Sequence, residues 1–298
     1  MAAQWDDLRV FLAVARAGGL TPAGQRLRVD PATVGRRITR LEEDFGAPLF
    51  ARSPQGYALT EAGQRLLPQA VAVEQAMEAA FETAENASGG LSGQIRIGAP
   101  DGCANYVLPQ VCARIVEDNP DLEVQIVALP RVFNLSRREA DMAVGVSRPT
   151  AGRLTVQKIS DYHLHLAASE DYLASHPEIT SLADLQGHRM VGYIPDMIFD
   201  KELDYLTELG IERVNLASNS VSVQFNWVRS GGGLGVVHDF AIPSATGIKR
   251  ILAPDISLTR SFYLIRHADD RRLERMNRFA KLVAEGIRTE IARLEGMA

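Results

Sequence analysis

Two helix-start signals, nine residues apart, constrain the fold of this chain more than any other feature of its sequence. Thr21 precedes Pro22, and Asp30 precedes Pro31. Each pair predicts a capping side chain followed by a proline in the first turn of a helix, where the missing N–H of proline has no cost. Because the second start follows so soon, residues 21–45 are predicted to form two short helices joined by a tight turn.

The second of these helices has an apolar face and a basic face. Its apolar residues recur at helical spacing and predict one buried stripe, formed by Val34, Ile38, Leu41 and Phe45. On another face, short side chains at the N-terminal end precede arginines, a layout typical of a helix that enters the DNA major groove. We predict groove contacts from Ala32, Thr33, Arg36 and Arg40. The alternative is a solvated helical hairpin whose arginines pair with the acidic residues 42–44.

A predicted helix at residues 6–17 precedes this motif, and a turn-rich segment follows it. Residues 52–57, with the sequence RSPQGY, lie between two short apolar stretches and predict a β-hairpin. A hairpin directly after a recognition helix is a wing, whose tip reaches phosphates beside the groove. We therefore predict phosphate contacts from Arg37, Arg52 and Ser53.

A long helix is predicted from a cap at Thr60 to about residue 86. Its apolar residues alternate at spacings of four and three, which is the heptad pattern of helices that pair. The predicted seam contains Leu66, Ala70, Val73, Met77, Ala80 and Phe81. Since no partner helix lies nearby in sequence, we expect this seam to join two copies of the chain. The alternative is packing of the helix on its own domain, with a kink at Pro68.

Beyond a Ser- and Gly-rich linker at residues 88–93, predicted strands alternate with predicted helices. This alternation favours α/β lobes with parallel-type sheets and a ligand cleft at the carboxyl ends of the strands. Residues 100–105 are predicted to be a loop before a helix that begins near Tyr106, where free N–H groups would favour a carboxylate. A further helix is predicted at residues 200–209.

Composition narrows the possible functions. The 298 residues carry a net charge of −5, so binding to DNA must depend on local charge, and residues 21–56 contain six arginines against four acidic side chains. Two cysteines provide neither a disulfide framework nor a metal site. We predict no signal peptide and no membrane span, and therefore expect a cytoplasmic protein. No nucleophile–base, metal or cofactor constellation is found, so we expect neither enzymatic activity nor a cofactor.

These features together resemble a LysR-type transcriptional regulator. The resemblance is carried by residues 8–67, LRVFLAVARAGGLTPAGQRLRVDPATVGRRITRLEEDFGAPLFARSPQGYALTEAGQRLL, and by SGQIRIGAP at 92–100. It implies a winged helix-turn-helix in residues 1–59, a linker helix and hinge in 60–91, and an effector domain in 92–298. That domain resembles periplasmic binding proteins, with lobe I at about 92–163 and 266–298 and lobe II at about 164–265. Within the motif, Gly24 and Gly35 stand where the family usually has Ala and Ser.

The resemblance also implies partners and a ligand site. Family members are dimers or tetramers that bind partly palindromic promoter DNA, and an effector changes the bend of that DNA. We expect an organic acid or similar metabolite as effector, and RNA polymerase as a further partner. The effector site carried over from the family contains Asp101, Cys103, Ser147, Arg148, Tyr193, Asn219 and Ser220. A cytoplasmic small-molecule-binding protein without a specific DNA target is the alternative.

Two of these residues have alternative interpretations. Arg148 either pairs with an anionic effector or with Asp101 or Asp141. Cys103 is either a small side chain in the cleft or a redox-sensing thiol.

Overall fold

The computed structural model describes residues 4–53, 56–85, 90–128, 140–150, 152–211, 213–253, 255–268, 270 and 273–298. The side chains of residues 53, 75, 78, 79, 81–85 and 208 lie outside this description. The chain divides into two compact units. The first contains residues 1–89 with the short segments 136–138 and 269–275, and the second contains residues 90–135, 139–268 and 276–298.

The first unit is helical, with one small hairpin. Its described elements are the helices α1 (Trp5–Ala17), α2 (Leu20–Leu27), α3 (Pro31–Phe45) and α4 (Glu61–Glu85), and the strands β1 (Phe50–Ser53) and β2 (Gly56–Leu59). Helices α1, α2 and α3 and the hairpin share one core, in which Phe11, Val34 and Leu41 are fully buried. Burial of such side chains contributes about 1.5–3 kcal/mol each, so the apolar stripe of α3 is a main source of the unit's stability.

One of the two predicted helix starts is confirmed, and the other is wrong by two residues. Asp30 caps α3, because its carboxylate accepts a hydrogen bond from the Ala32 N–H at 2.8 Å. Helix α2 instead begins at Leu20, after a left-handed Gly18 that ends α1 and an extended Gly19. Thr21 is therefore inside the first turn of α2 and does not cap it.

The predicted apolar stripe of α3 is one residue too long. Val34, Ile38 and Leu41 are buried, but Phe45 is 45% exposed. Phe45 is the last residue of α3, directly before the left-handed Gly46, so it extends past the edge of the core.

The hairpin is fixed to the end of α1 by a close backbone approach. The Tyr57 N–H donates to the Gly18 carbonyl at 2.9 Å. Gly56 has a φ of +121°, and a Cβ there would lie 2.5 Å from the same carbonyl oxygen. Glycine at position 56 is thus required both by the backbone conformation and by the space available.

The second unit is built on one mixed sheet. Its described strands are β3 (Gly93–Ala99), β4 (Leu122–Ala128), β5 (Met142–Gly145), β6 (Leu154–Ser169), β7 (Met190–Gly192), β8 (Leu216–Ala217), β9 (Leu234–His238), β10 (Ile248–Arg250) and β11 (Ser257–His267). The order is β4-β3-β5-β11-β6-β9-β7-β8, and β10 pairs with β6. Strands β3, β4 and β5 are parallel to one another, as are β7, β8 and β9.

Two long antiparallel strands join these parallel halves. Strand β6 pairs with β11 along residues 154–165 and then with β9 at residues 164–167. Each parallel group therefore forms the sheet of one lobe, and β6 and β11 cross between the lobes. The sequence favoured parallel-type sheets, so the antiparallel pairs that β6 and β11 make are a departure from that expectation.

The helices of the second unit pack around this sheet. They are α5 (Asp101–Tyr106), α6 (Leu108–Glu117), α7 (Glu170–Ala174), α8 (Tyr205–Glu208), α9 (Val221–Arg229) and α10 (Glu274–Glu295). The predicted loop at 100–105 is wrong, because α5 begins at Asp101, and a separate helix α6 begins at Leu108 with Pro109 in its first turn. The predicted helix at 200–209 is broken, because a 3₁₀ turn at Lys201–Leu203 precedes α8. No helix in the described ranges is long and apolar enough to span a membrane.

Candidate DNA-binding surface and effector cleft

The N-terminal half of α3 presents a polar surface that the Asp30 cap helps to fix. Ala32 and Arg36 are exposed and Thr33 is half-buried. The Arg36 guanidinium donates to the Thr33 hydroxyl at 2.8 Å, so two predicted groove residues are already in contact. Thr39 is exposed one turn further along. The sequence interpretation missed Thr39, although its spacing from Arg36 would have placed it on the same face.

Arg40 is held by a partner that the sequence interpretation did not find. Its guanidinium donates to both carboxylate oxygens of Asp7 on α1, at 2.7 and 2.5 Å. Asp7 is 1% exposed, and its hydrogen bonds raise the pKa of Arg40 above the ordinary value. Because a buried carboxylate needs a partner, Arg40 has a structural role as the partner of Asp7. Half of the Arg40 side chain is nevertheless exposed. Arg37 lies beside Asp6, with 3.5 Å between the guanidinium and carboxylate atoms.

In the hairpin, the exposed Arg52 lies against the ring of Tyr57. Its guanidinium carbon is 5.6 Å from the ring centroid, which is within the range of a cation–π contact. This contact limits the directions in which Arg52 can extend. The side chain of Ser53 lies outside the described residues.

The first part of helix α4 packs on the core of its own unit. Its hydroxyl cap is in place, since the Thr60 oxygen accepts from the Gly63 N–H at 3.1 Å. Leu66 packs against the helical core, and Ala70 is 1% exposed there, so these two predicted seam residues follow the alternative of packing on their own domain. Arg16 of α1 binds Glu74 through two hydrogen bonds of 3.0 and 2.7 Å.

The rest of the predicted seam lies beyond that core. Val73 is 41% exposed, Ala80 is exposed and Met77 is half-buried. The side chain of Phe81 lies outside the described residues. An exposed apolar surface can therefore begin at Val73, one turn after Ala70.

In the second unit, Asp101 joins the two lobes. One of its carboxylate oxygens, Oδ2, accepts hydrogen bonds from the Ser220 hydroxyl at 3.0 Å and from the N–H and hydroxyl of Ser222 at 2.9 and 3.0 Å. Asp101 begins α5 in lobe I, and the two serines lie at the start of α9 in lobe II. The structure thus brings together two predicted effector residues, Asp101 and Ser220, and adds Ser222.

A second connection between the lobes uses the same chemistry. The Ser147 hydroxyl, just after β5, donates to the carboxylate of Asp200. Near it, the Arg260 Nε on β11 donates to the Glu202 carbonyl at 2.9 Å and lies 3.2 Å from the Glu202 carboxylate. Two separate sets of polar contacts therefore join the lobes.

Between these connections the cleft is almost filled. A cavity of about 20 Å³ remains, which is room for roughly one water molecule. The predicted residues Asp101, Cys103, Tyr193 and Asn219 all line it, together with Tyr162, His238 and Phe262. In this closed arrangement an effector would have to separate the lobes in order to enter.

Burial opposes ionisation of His238 and Cys103, which line the cavity. Burial lowers the pKa of His238 to about 3, and its Nδ1 has no hydrogen-bond partner among the described residues. Its ring stacks on Tyr162, with 5.4 Å between the centroids. Burial raises the pKa of the Cys103 thiol and raises that of Cys112 to about 11. Since the thiolate is the reactive form, this burial argues against the redox-sensing alternative.

Arg148 does not take part in this cleft. Its exposed guanidinium lies 5.3 Å from the ring centroid of Tyr263. Asp101 is bound to the serines, and Asp141 accepts the Arg96 N–H at 2.7 Å, so neither predicted carboxylate partner is paired with Arg148. The position of Arg148 therefore differs from both interpretations of the sequence.

A larger cavity, of about 360 Å³, lies within lobe II. It has mainly apolar walls, including Ile198, Leu206 and Val214, and it shares Tyr193 and Leu203 with the cleft. The sequence interpretation missed this cavity, because its walls come from separate segments that meet only in the fold.

Two family models match the chain over most of its length. The model of the bacterial regulatory helix-turn-helix protein of the lysR family matches residues 5–64, and that of the LysR substrate binding domain matches residues 88–288. The chain is 28% identical to the Mau operon transcriptional activator of Paracoccus denitrificans over 268 residues, 88% of each chain. It is 27% identical to the regulator CrgA of Neisseria meningitidis over 195 residues, 63% of each chain.

Solved structures share the fold. A full-length OxyR variant from Pseudomonas aeruginosa has a TM-score of 0.72 at 18% identity, covering 95% of this chain and 94% of that one. ArgP from Mycobacterium tuberculosis has a TM-score of 0.71 at 19% identity, covering 94% and 96%. A helix-turn-helix unit followed by a two-lobed substrate-binding unit defines a DNA-binding transcriptional regulator with an effector-binding domain. The chain belongs to the LysR family.

Proposed function

We propose that α3 reads promoter DNA in the major groove and that the hairpin contacts the neighbouring phosphates. The observation that carries this proposal is the exposed Arg36–Thr33 pair at the N-terminal end of a capped helix. Ala32, Thr33 and Arg36 contact base edges, and Arg40 reaches the groove with the half of its side chain that Asp7 leaves exposed. Arg37, Arg52 and Ser53 contact phosphates, which position the unit without reading sequence.

We further propose that the chain acts as a homodimer or homotetramer joined by α4, beginning at Val73. The exposure of Val73 after the buried Ala70 supports this placement. From membership of the LysR family we also propose three binding partners. They are a palindromic promoter site, a small-molecule effector bound between the lobes, and RNA polymerase at the regulated promoter. The effector is bound and not converted, in a protein of the cytoplasm.

The test of DNA recognition is a footprint on the DNA upstream of the chain's own gene. Arg36→Ala should weaken specific binding by about 1–3 kcal/mol, because a bidentate contact to a base edge is lost. Arg65→Ala is the matched control, since Arg65 is an exposed arginine of α4 that is paired with Glu61 and is not part of α3. Equal footprints for Arg36→Ala and the unmodified chain would contradict the assignment of α3.

A further inference from the structure

The start of α9 is an anion site built from three donors. Ser220 caps the helix by accepting the Val223 N–H at 3.3 Å, which leaves its own hydroxyl hydrogen free to donate outward. The Ser222 N–H is one of the free amides of the first turn, and the Ser222 hydroxyl lies beside it. Three such donors on a nine-residue helix, together with the helix dipole, favour a negatively charged group.

The anion at this site is part of the chain. All three donors converge on Oδ2 of Asp101, and the other oxygen, Oδ1, accepts from the Asn105 side chain at 3.2 Å. Charge-assisted hydrogen bonds are roughly twice as strong as neutral ones. An external carboxylate would have to displace Asp101 from these donors and leave its half-buried negative charge without the three hydrogen bonds to Oδ2.

The described walls of the closed cavity offer a second anion no cationic side chain. Among the described residues that line the cavity there is no lysine or arginine, and Asp101 is the charged member. The other walls are aromatic or apolar, apart from Asn219 and the uncharged His238. Arg148, the cation that the sequence offered for an anionic effector, lies against Tyr263 instead.

We infer that Asp101 is a built-in anion that occupies the α9 anion site, so that the effector of this chain carries no negatively charged group at this position. The inference rests on the proposed binding of an effector between the lobes. It replaces the organic acid expected from the sequence with an uncharged or cationic molecule. Asp101 is then a specificity-determining residue, which both holds the lobes together and excludes carboxylate ligands.

The experiment removes the internal carboxylate and offers an external one. Asp101→Ala should bind acetate, measured by calorimetry and by the shift of the Ser222 amide resonance, because the three donors are left open. The unmodified chain should bind acetate about tenfold more weakly or not measurably, since the donors are occupied. Asp118→Ala, which removes an exposed aspartate of lobe I, should not gain acetate binding. The double variant Asp101→Ala, Ser222→Ala should lose it.

The unmodified chain provides a test that does not depend on the folding of a variant. If acetate shifts its Ser222 amide saturably, with the affinity of Asp101→Ala, the inference is overturned. An Asp101→Ala protein that is folded by circular dichroism yet ignores acetate also overturns it.

Failure of the proposed function would look different. DNA retardation measured in parallel reports on that function alone. Acetate binding by Asp101→Ala in a chain that binds no DNA would support the built-in anion and contradict the regulator's proposed DNA contacts. DNA binding by the unmodified chain that responds to a carboxylate bound at Ser222 would support the proposed DNA contacts and contradict the built-in anion.

Discussion

At the scale of single residues, two glycines of the helix-turn-helix have different surroundings. A Cβ at Gly35 of α3 would lie 3.4 Å from a methyl carbon of Leu20, which is an ordinary contact. A Cβ at Gly24 of α2 would lie 2.6 Å from the Val29 carbonyl oxygen, which is backbone and cannot move away cheaply. Gly24 is thus required for the tight turn into α3, whereas Gly35 is not required by packing.

This contrast gives a matched pair of substitutions. Gly35→Ala should raise the free energy of unfolding by about 1 kcal/mol, because alanine is the better helix former. Gly24→Ala has the same propensity gain but should destabilise the unit, because the clash with Val29 forces the turn open. Calorimetry of the full chain measures both. Stabilisation by Gly24→Ala would show that the turn does not need the close approach.

The residues of the effector cleft show why a sequence alone could not pair them. Asp101 and Ser220 are 119 positions apart, and no local periodicity relates them. Asp7 pairs with Arg40 across 33 positions in the same way. By contrast, the Asp30 cap and the Val34–Ile38–Leu41 stripe depend on neighbours within a few positions, so they could be predicted.

At the scale of elements, the same distinction separates what was predicted from what was not. Helices α3 and α4 and the hairpin have local start, spacing and turn signals, and their prediction is confirmed apart from the end residues. The first half of strand β6, with Gln157, Lys158 and Asp161, is largely polar and is stabilised by pairing with β11 rather than by burial, so it has no apolar pattern to predict it. Strands β8 and β10 have two and three residues, too few for any periodicity.

Helix α10 carries a charge that couples its stability to pH. Glu290 is fully buried and binds Arg114 at 2.8 Å and Arg293 at 2.6 Å. The hydrogen bonds from Arg293 and Arg114 hold the pKa of Glu290 below its ordinary value. A lowered pKa in the folded state means that the ionised carboxylate stabilises the fold above its unfolded pKa of about 4.3, and that this contribution is lost as the pH falls through the folded value.

Glu290→Gln should therefore lower the free energy of unfolding by about 1–2 kcal/mol at neutral pH, a modest loss because both guanidinium groups are half exposed. The difference from the unmodified chain should shrink as the pH falls below about 4. Glu285→Gln, at an exposed position of the same helix, is the control and should have little effect. Denaturant unfolding at several pH values measures the difference. A loss of stability that is the same at every pH would assign the effect to packing instead of charge.

At the scale of the whole molecule, the assembly of two chains depends on where the core of the first unit ends along α4. Ala70 is inside that core and Val73 is 41% exposed, so a glutamate at position 73 should not disturb the fold of one chain. In a paired α4 seam, the same glutamate would bury two like charges against apolar neighbours. Val73→Glu should therefore shift the chain from dimer towards monomer in sedimentation at micromolar concentration. Ala72→Glu adds the same charge at an exposed position beside the seam and should leave the dimer intact. Undisturbed sedimentation of Val73→Glu, with the control also unchanged, would show that the subunit contact does not lie on α4.

Because a palindromic site needs two recognition helices at a fixed spacing, Val73→Glu should also weaken the footprint while Arg36 remains in place.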